Sequence, residues 1–305
     1  WEASVTWGDS FTLASKPFNY RIMAGIGDNT SKVTKYDNPN RTLTDPYEGQ
    51  QLGEIWGYVV DGYFKTDEEA RNYKVDQSFV NQMINASALD NGLHAGDLKF
   101  VDLDGNNKIE QTTSANDRKD MKVIGNSLPR YNYNFGISAD WYGIDFSVLF
   151  QGIGKQNWYP GAETSMFWGP YSRPYASFIP SDFMSQVWSE ENTNAYFPRP
   201  RGYVALGSNR ELAVVNTKYL QNLAYCRLKN LSIGYTLPDK WLSKIGFEKI
   251  RVYFSGENLL TFTKLHSDYI DPEQASASNS WKTSKSDANI YPWAKTYSFG
   301  VDITF

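Results

Sequence analysis

The sequence predicts an all-β protein whose strands form part of a transmembrane antiparallel β-barrel, and three observations favour that fold. Apolar and polar residues alternate over stretches of about ten residues, close to the ~9–11 residues with which a tilted strand crosses a bilayer. Short connections alternate with very long ones, which is typical of outer-membrane barrels with periplasmic turns and extracellular loops. No run of about 18 apolar residues occurs in the chain, so transmembrane helices are excluded.

The alternation defines about seven strands. In its clearest example, the stretch 131–141, Tyr, Phe, Ile, Ala and Trp occupy one face and Asn, Gly, Ser and Asp the other. A period of two residues predicts a strand with one apolar and one polar face. The strands are predicted near residues 1–13, 18–27, 131–141, 144–151, 230–237, 250–255 and 297–305.

The number of strands bears on whether the barrel closes. Bacterial single-chain barrels have an even number of strands with both chain ends in the periplasm, whereas here the count is odd and the first strand, 1–13, runs inward. We therefore expect residues 1–305 to be the C-terminal part of a larger barrel, with extracellular loops at about 37–130, 155–222 and 263–295. A soluble extracellular carbohydrate-binding β-sandwich gives the same alternation, and this alternative stays open at this point.

The composition excludes several classes of function. A net charge of −4 and a pI near 5.4 argue against a nucleic-acid partner. One cysteine and two histidines leave no disulfide framework, no thiolate metal cage and little scope for histidine-based catalysis. No nucleophile elbow, Walker A motif or zincin motif is present, so we expect no enzymatic activity.

One stretch of the sequence resembles a calcium-binding loop. Oxygen donors recur at every second position from Asp102, and Ca²⁺ takes about six to eight oxygen ligands. The match to an EF-hand loop is imperfect, because Asn107 replaces its turn glycine and Thr113 its last glutamate. The alternative is a turn rich in Asp and Asn that binds no metal. The candidate calcium ligands are Asp102, Asp104, Asn106, Lys108 through its backbone carbonyl, Glu110 and Asp117.

The second long loop carries aromatic and arginine side chains that suit the recognition of a glycan. Sugar rings stack on aromatic faces, and their hydroxyls need fixed donors and acceptors. The alternative is that these rings pack the core of the loop itself. The candidate substrate-binding residues are Trp158, Tyr159, Trp168, Tyr171, Arg173 and Tyr175.

Four groups of motifs, in order along the chain, resemble the SusC/RagA-like TonB-dependent outer-membrane transporters of Bacteroidetes. The first is GQQLGEIWGYVVDGYF at 49–64, followed by DEEA at 67–70, and the second runs from GDLKFVDLDGNNKIE at 96–110 through the hairpin of 117–155. The third is YCRLKNLSIGYTLP at 225–238 with the strand of 250–264, and the fourth is DPE at 271–273 with YPWAKTYSFGVDITF at 291–305. Together they span most of the chain, from residue 49 to residue 305.

The resemblance implies a plugged barrel of about 22 strands in the bacterial outer membrane. It implies TonB-dependent active import of a large nutrient, an oligosaccharide as the first expectation and a peptide as the second. The implied partners are a SusD-like surface lipoprotein, the N-terminal remainder of the same transporter with its plug, and TonB–ExbB–ExbD acting through that plug. We expect the plug and the TonB box to lie upstream, outside these 305 residues.

The strand register then sorts the charged and polar side chains. We expect Arg251 and Glu257 to meet charges on the plug. Arg227 and Lys229 fall on the apolar register, and we expect them to extend toward anionic lipid at the outer surface. We expect His94 and His266, in polar loop sequences, to be solvated. The candidate lumen-facing residues are Asn132, Asn134, Asp140, Asp145, Arg251 and Glu257.

Overall fold

The computed structural model of the chain describes residues 1–81, 92–172, 179–200, 202–207, 210–242, 246–277, 285–286 and 291–305. The strands are β1 (Glu2–Leu13), β2 (Lys16–Gly27), β3 (Glu54–Tyr58), β4 (Val60–Tyr63), β5 (Leu98–Phe100), β6 (Met121–Asn126), β7 (Arg130–Trp141), β8 (Ile144–Lys155), β9 (Asn157–Pro160), β10 (Gln221–Asn222), β11 (Tyr225–Thr236), β12 (Lys249–Thr263), β13 (Lys285–Ser286) and β14 (Thr296–Thr304). The helices are α1 (Asp67–Arg71), α2 (Ser165–Trp168), α3 (Asp239–Leu242) and α4 (Pro272–Ala277), with 3₁₀ turns at Gly169–Tyr171, Phe183–Gln186 and Tyr203–Leu206.

Seven long strands form one antiparallel sheet in the order β1-β2-β7-β8-β11-β12-β14. Each long strand therefore lies beside the long strand that precedes it in the chain, as in an up-and-down barrel wall. The predicted all-β architecture with about seven strands is confirmed. Two hairpins close with two-residue turns at the same end of the sheet, and in the second Tyr142 and Gly143 have φ angles of 50° and 84°. Positive φ at both positions is the signature of a type I′ turn.

The apolar face of the sheet is continuous across its strands. These side chains remain largely exposed, 60% for Trp7 and 44% for Ile137. No second sheet covers them in the part of the chain that the structure describes. A β-sandwich buries such a face, so the soluble β-sandwich alternative is wrong, whereas a barrel wall presents this face to lipid. One row of this face contains Trp7, Ile22, Ile137, Val148 and Leu231.

Among the described residues, no helix is long and apolar enough to span a membrane.

A β-bulge in β11 reverses the register of the strand's first residues. Leu228 and Asn230 pair with consecutive residues of β8, so Lys229 is an extra residue. One extra residue moves every side chain before it to the other face of the sheet. Arg227, which pairs with Gln151, therefore lies on the polar face. The expectation that Arg227 and Lys229 extend into lipid is wrong, because the bulge interrupts the alternation on which it rested.

The polar face carries small side chains along one row and an ion pair beside it. A row of serines crosses five neighbouring strands, and we call it the serine row. It consists of Ser138, Ser147, Ser232, Ser255 and Ser298.

A glycine in β11 allows an ion pair to cross that strand. Arg251 of β12 reaches over β11 to Asp145 of β8, with Nη2 to Oδ2 and Nε to Oδ1 distances of 2.6 and 2.8 Å. A Cβ atom on Gly234 would lie 2.5 Å from Asp145 Oδ1 and 2.6 Å from Arg251 Nε. Only glycine leaves room for this pair, which connects three strands of the wall.

The three long connections pack against one another at the end of the sheet opposite the hairpin turns, and we call this assembly the loop body. It contains three small sheets, formed by β3 with β6, β4 with β5, and β9 with β10 and β13. The loops therefore fold around a hydrophobic core of their own, away from the lipid-facing surface. This core is rich in aromatic residues, among them Trp158, Phe167, Trp168, Phe197 and Tyr219.

We expect Gly234→Val to destabilise the wall, because the added atoms overlap the Arg251–Asp145 pair. Steric conflict with loss of an ion pair costs roughly 1–3 kcal/mol. Thermal unfolding of the full-length protein in detergent, followed by circular dichroism, should show a lower midpoint. Gly8→Val is the matched control, because a Cβ there meets only Tyr20 O, at an ordinary 3.5 Å. Equal midpoints for the two variants would contradict the role of Gly234.

Candidate functional site

All six residues predicted to face the lumen lie on the polar face of the sheet. Each lies an even number of residues from the serine of its own strand in the serine row, so its side chain projects from the same face of the sheet. The lumen-facing role itself stays a prediction, since it depends on the complete barrel. These residues are Asn132, Asn134 and Asp140 on β7, Asp145 on β8, and Arg251 and Glu257 on β12.

The charge of Arg251 is matched within the sheet. Besides its two hydrogen bonds to Asp145, its Nη1 lies 3.3 Å from Asp302 Oδ2. Glu257 differs, because no hydrogen bond or ion pair involves its side chain among the described residues. Of the two residues expected to meet plug charges, Glu257 is the one whose charge remains without a partner in the described wall.

A buried group of charges, which we call the Arg227 cluster, attaches the last long connection to the polar face. Arg227 is 2% exposed and donates to Asp271 Oδ2 at 2.6 Å and to Glu273 Oε2 at 2.7 Å. Its Nε donates to Thr261 Oγ1 of β12 at 3.0 Å, and Lys229 Nζ also donates to Glu273 at 2.8 Å. A guanidinium tolerates such burial only when its donors and charge are matched. The cluster therefore fixes the start of α4 against β11.

Four of the rings predicted to bind substrate are buried in the core of the loop body. Trp158, Tyr159 and Trp168 are fully buried, and Tyr171 is 1% exposed. Tyr159, Trp168 and Tyr171 contact other rings of the core, and Trp158 is packed in the same core. The four rings therefore offer no surface on which a sugar can stack. The packing corrects the prediction for these four and favours the alternative that they form the loop's own core. Arg173 and Tyr175 lie outside the described residues.

The polar ends of the buried rings are satisfied by the backbone. Tyr159 donates its hydroxyl to Leu212 O at 2.8 Å, Trp168 donates Nε1–H to Gly161 O at 2.9 Å, and Tyr171 donates to Pro198 O at 2.6 Å. Burial raises the pKa of the Tyr159 phenol well above its ordinary value. Buried Tyr and Trp usually find partners of this kind, so these rings stabilise the loop body as neutral groups.

The calcium-like stretch folds as a tight loop held by its own carboxylates. Asp102 accepts hydrogen bonds from the backbone N–H groups of Gly105 and Asn107, both at 2.7 Å. Asp104 accepts from Asn106 N at 3.1 Å, and Asn107 has a φ of 63°, the conformation in which asparagine replaces glycine. Such bonds explain the turn without a metal, so the geometry leaves both alternatives for this stretch open.

Sequence reasoning missed one acidic residue of this loop. Carboxylate oxygens of Asp102, Asp104 and Asp120 lie within 4.8 Å of one another. Asp120 is buried, accepts from Leu103 N at 2.8 Å and from Glu110 N at 2.7 Å, and has its pKa raised by that burial. The residue spacing of known calcium loops does not include a position as far along the chain as Asp120. Its place just before the strand β6 could have indicated that it lies at the base of the loop.

Of the other predicted calcium ligands, Asn106 contacts this group directly, because its Nδ2 donates to Asp104 Oδ2 at 3.2 Å and also to Glu110 Oε2 at 3.0 Å. Asp117 is exposed and approaches Lys119 Nζ at 3.9 Å, so it does not close the site as expected. Glu110 accepts from Lys119 Nζ at 3.3 Å, and this hydrogen bond lowers the pKa of Glu110. Lys108 forms a backbone bridge with Asp76. Among the carboxylates of the described residues, those of Asp102, Asp104 and Asp120 lie close enough together to bind one cation.

His266 is part of the loop body. Its ring stacks on Tyr196 with centroids 3.4 Å apart, and its Nε2 lies 2.6 Å from Gln186 Oε1. Burial lowers the pKa of His266 to about 4, so the imidazole is neutral at neutral pH. The expectation of a solvated side chain is wrong for His266, because the second and third long connections fold over it.

A concavity opens on the polar face where β1, β2, β7 and β8 meet the loop body. Its volume is about 960 Å³, which is within the range of ligand sites. Asn132 and Asn134 were predicted to face the lumen here, and Gln151 was missed although it belongs to the polar alternation of a predicted strand. The lining residues include Glu2, Ser4, Thr6, Met23, Gly25, Asn132, Asn134, Leu149 and Gln151.

Comparison with known proteins relates the whole chain to one group. No family model matches the sequence. TonB-dependent receptor P3 of Formosa agariphila is 29% identical over 264 residues, which cover 85% of this chain and 22% of the receptor. TonB-dependent receptor P39 of the same organism is 24% identical and covers 100% of this chain and 30% of the receptor. The chain thus spans less than a third of the length of these curated relatives.

The solved structures that resemble this fold include the RagAB peptide importer in two states. The open-open state matches with a TM-score of 0.63 at 18% identity and covers 100% of this chain and 28% of that chain. The closed-closed state matches with a TM-score of 0.59 at 20% identity and covers 100% and 29%. At these identities the match supports the fold.

We expect Arg227→Met to release the connection that contains α4, because Asp271 then stays buried without its partner. Breaking a buried ion pair costs about 3–5 kcal/mol. Limited proteolysis of the full-length protein in detergent, read by mass spectrometry, should show new cleavage within 264–277. Lys229→Met is the matched control, since the more exposed Lys229–Glu273 pair contributes about 0–1 kcal/mol. Identical cleavage patterns for wild type and Arg227→Met would contradict the anchoring role.

Proposed function

We propose that the chain belongs to the SusC/RagA-like family of TonB-dependent outer-membrane transporters, and that it forms part of the wall and outer loops of a barrel that imports a large nutrient. The observation that carries the proposal is the division of one antiparallel sheet into an exposed apolar face and a concave polar face. A barrel wall needs the first face for lipid and the second for its interior. The loop body at one end of the sheet would form part of the outer binding region.

The substrate belongs to one of two classes. The sequence favours an oligosaccharide, on the strength of aromatic residues in the loops. Four of the rings used for that inference are buried, yet Tyr291 and Trp293 remain 92% and 50% exposed in the third connection and can stack on sugars. A peptide is the second candidate, supported by the likeness to the RagAB peptide importer.

The proposed partners follow from the same family. A SusD-like surface lipoprotein would cover the outer end of the barrel and capture the nutrient. The N-terminal remainder of the transporter would supply the plug and further strands, and TonB–ExbB–ExbD would act on the plug. Glu257, whose side chain has no partner among the described residues, is available for a charge on the plug. No enzymatic step is proposed, because import requires binding and conformational change alone.

We also propose that Ca²⁺ stiffens the loop that contains Asp102, Asp104 and Asp120. Three carboxylates within 4.8 Å repel one another, and burial disfavours the charged form of Asp120. A divalent cation with oxygen ligands relieves both effects. The cation would serve the structure of an outer loop and would take no part in transport chemistry.

The proposed import is tested in the source bacterium with the full-length gene. Deletion of the gene, and separately of tonB, should abolish uptake of the nutrient on which the wild type grows, because the barrel is plugged without TonB. Uptake of fluorescently labelled candidate oligosaccharides and peptides measures this, with restoration of the gene on a plasmid as the control. The protein should fractionate with outer membranes and require detergent. Uptake that persists without tonB, or recovery as a detergent-free soluble monomer, would contradict the proposal.

Calcium binding is tested on the full-length transporter in detergent. Saturating Ca²⁺ at about 100 times its Kd should stabilise the loop by ~2.7 kcal/mol, seen as slower hydrogen–deuterium exchange over 98–121 than in EGTA. Asp104→Asn should remove this protection. Asp117→Asn is the matched control, since Asp117 lies outside the group of three carboxylates. Exchange in the wild type that is insensitive to Ca²⁺ would refute the site.

A further inference from the structure

The concavity holds three amide side chains whose hydrogen-bonding groups the wall does not use. Asn134 and Gln151 pair directly across β7 and β8, and Asn132 lies two residues along β7. All three are exposed, and none has a side-chain hydrogen bond among the described residues. Each amide offers two donors and one acceptor oxygen. We call these three residues the amide patch.

Two glycines of β2 leave space beside the amide patch. Gly25 pairs with Asn134, and Gly27 pairs with Asn132, so no β2 side chain stands next to either amide on this face. A Cβ atom on Gly25 would lie 3.2 Å from Asn134 Nδ2, which is closer than most side-chain contacts. An extended ligand can therefore approach the backbone of β2 and reach the amides from the side.

The surroundings of the amide patch argue against a charged ligand. The next residue of the same row is Arg227, and its charge is buried in the Arg227 cluster. Glu2 lies at the outer edge, on β1. A charged ligand needs an opposite charge that is free to meet it, and the middle of the patch has none. The ligand is therefore neutral and polar along the part that touches these amides.

The surroundings also argue against a sugar at this place. Tyr133 and Trp1 line the concavity but belong to the apolar register, and Tyr225, which follows in the row of Asn132, is 5% exposed. Among the described residues, no ring of the polar face that lines the concavity thus offers the stacking surface on which sugar recognition depends. Tyr253 is also on this face but lies outside the concavity. Met23 and Leu149 supply apolar contacts instead. Free amides beside a few apolar side chains suit a ligand in which polar backbone groups alternate with side chains.

We propose that the amide patch binds the backbone of an extended peptide as it passes into the barrel. A peptide backbone presents one N–H donor and one C=O acceptor per residue. The side-chain amides of asparagine and glutamine can pair with both, since their oxygen accepts from the N–H and their NH₂ donates to the C=O. This inference rests on the proposed import function and specifies its substrate class as peptides. It assigns to Asn132, Asn134 and Gln151 the role of contacting the substrate. This binding does not depend on the amino-acid sequence of the peptide.

The test uses the full-length transporter, purified in detergent and incubated with a tryptic digest of casein. Peptides that remain bound after gel filtration are quantified by mass spectrometry. The near-isosteric double variant Asn134→Leu, Gln151→Met should capture about ten-fold less peptide, because it loses two or more hydrogen bonds. Gly25→Val should show a similar loss by closing the space beside Asn134. Asn230→Leu is the matched control, an exposed asparagine on the same face outside the concavity, and should capture peptide within about two-fold of wild type.

Recognition of the backbone is tested with one captured peptide. Resynthesis with alternate backbone amides N-methylated should weaken its binding to the wild type and have little further effect on the double variant. Circular dichroism and yield from outer membranes verify that each variant is folded. If the double variant reduces yield, Gly25→Val and the N-methylated peptide on the wild type still decide the outcome.

Each result supports or overturns the assignment. Loss of peptide capture in the double variant with retention in Asn230→Leu supports it. Equal capture by the double variant and wild type overturns it and indicates that the amides face the plug or water. Capture of neutral oligosaccharides from a dextran hydrolysate, with no capture of peptides, overturns it while the import function stands. Capture of neither overturns it as well, and TonB-dependent uptake in cells then decides separately whether the import function also fails.

Discussion

The requirement that every backbone N–H and C=O find a partner away from water governs this structure. The five inner long strands meet it through ladders on both sides, and β1 and β14 through one ladder each. Those ladders fix the two-residue period of the side chains. One face can then be apolar and exposed while the other is polar. A shift of one residue exchanges the two faces, so an extra residue in a strand moves the side chains on one side of it to the opposite face. The bulge at Lys229 has this effect, since it brings Arg227 to the polar face.

The loop body follows a different rule from the sheet it covers. It buries aromatic rings among themselves and pairs many of their polar ends with backbone carbonyls or with each other, as in the contact of 2.9 Å between the hydroxyls of Tyr63 and Tyr219. The Arg227 cluster joins it to β11 through a buried ion pair, whereas the pair of Asp28 with Arg130 connects the residue after β2 to the first residue of β7. Packing and the Arg227 cluster together fix the loop body at its end of the sheet.

The strands were predictable from sequence because their period of two is local and strong. Alternation locates β7 to within one residue and gives the start of β8, although β8 continues four residues beyond the predicted end. It also gives the polar-face positions of Asn134 and Asp145. The bulge in β11 was not predictable, because an extra residue is visible only in the pairing with β8. Asp120 was missed for a related reason: it lies close to Asp102 through the fold, beyond any loop spacing. The aromatic residues of the second loop were recognised as important, but composition cannot distinguish a ring that packs a core from one that binds a ligand.

The serine row has a consequence for the width of the interior. A serine extends a single heavy atom beyond Cβ, so rotamer changes hardly alter how far this part of the wall projects. The neighbouring rows differ, because they carry long side chains such as Tyr253 on one side and Glu257 on the other. The side chains of the serine row thus project from the sheet by a nearly constant distance. Those of the two neighbouring rows project by a distance that changes with their rotamers. Along these five strands, the backbone therefore sets how far the polar face projects, whatever rotamers the serines adopt.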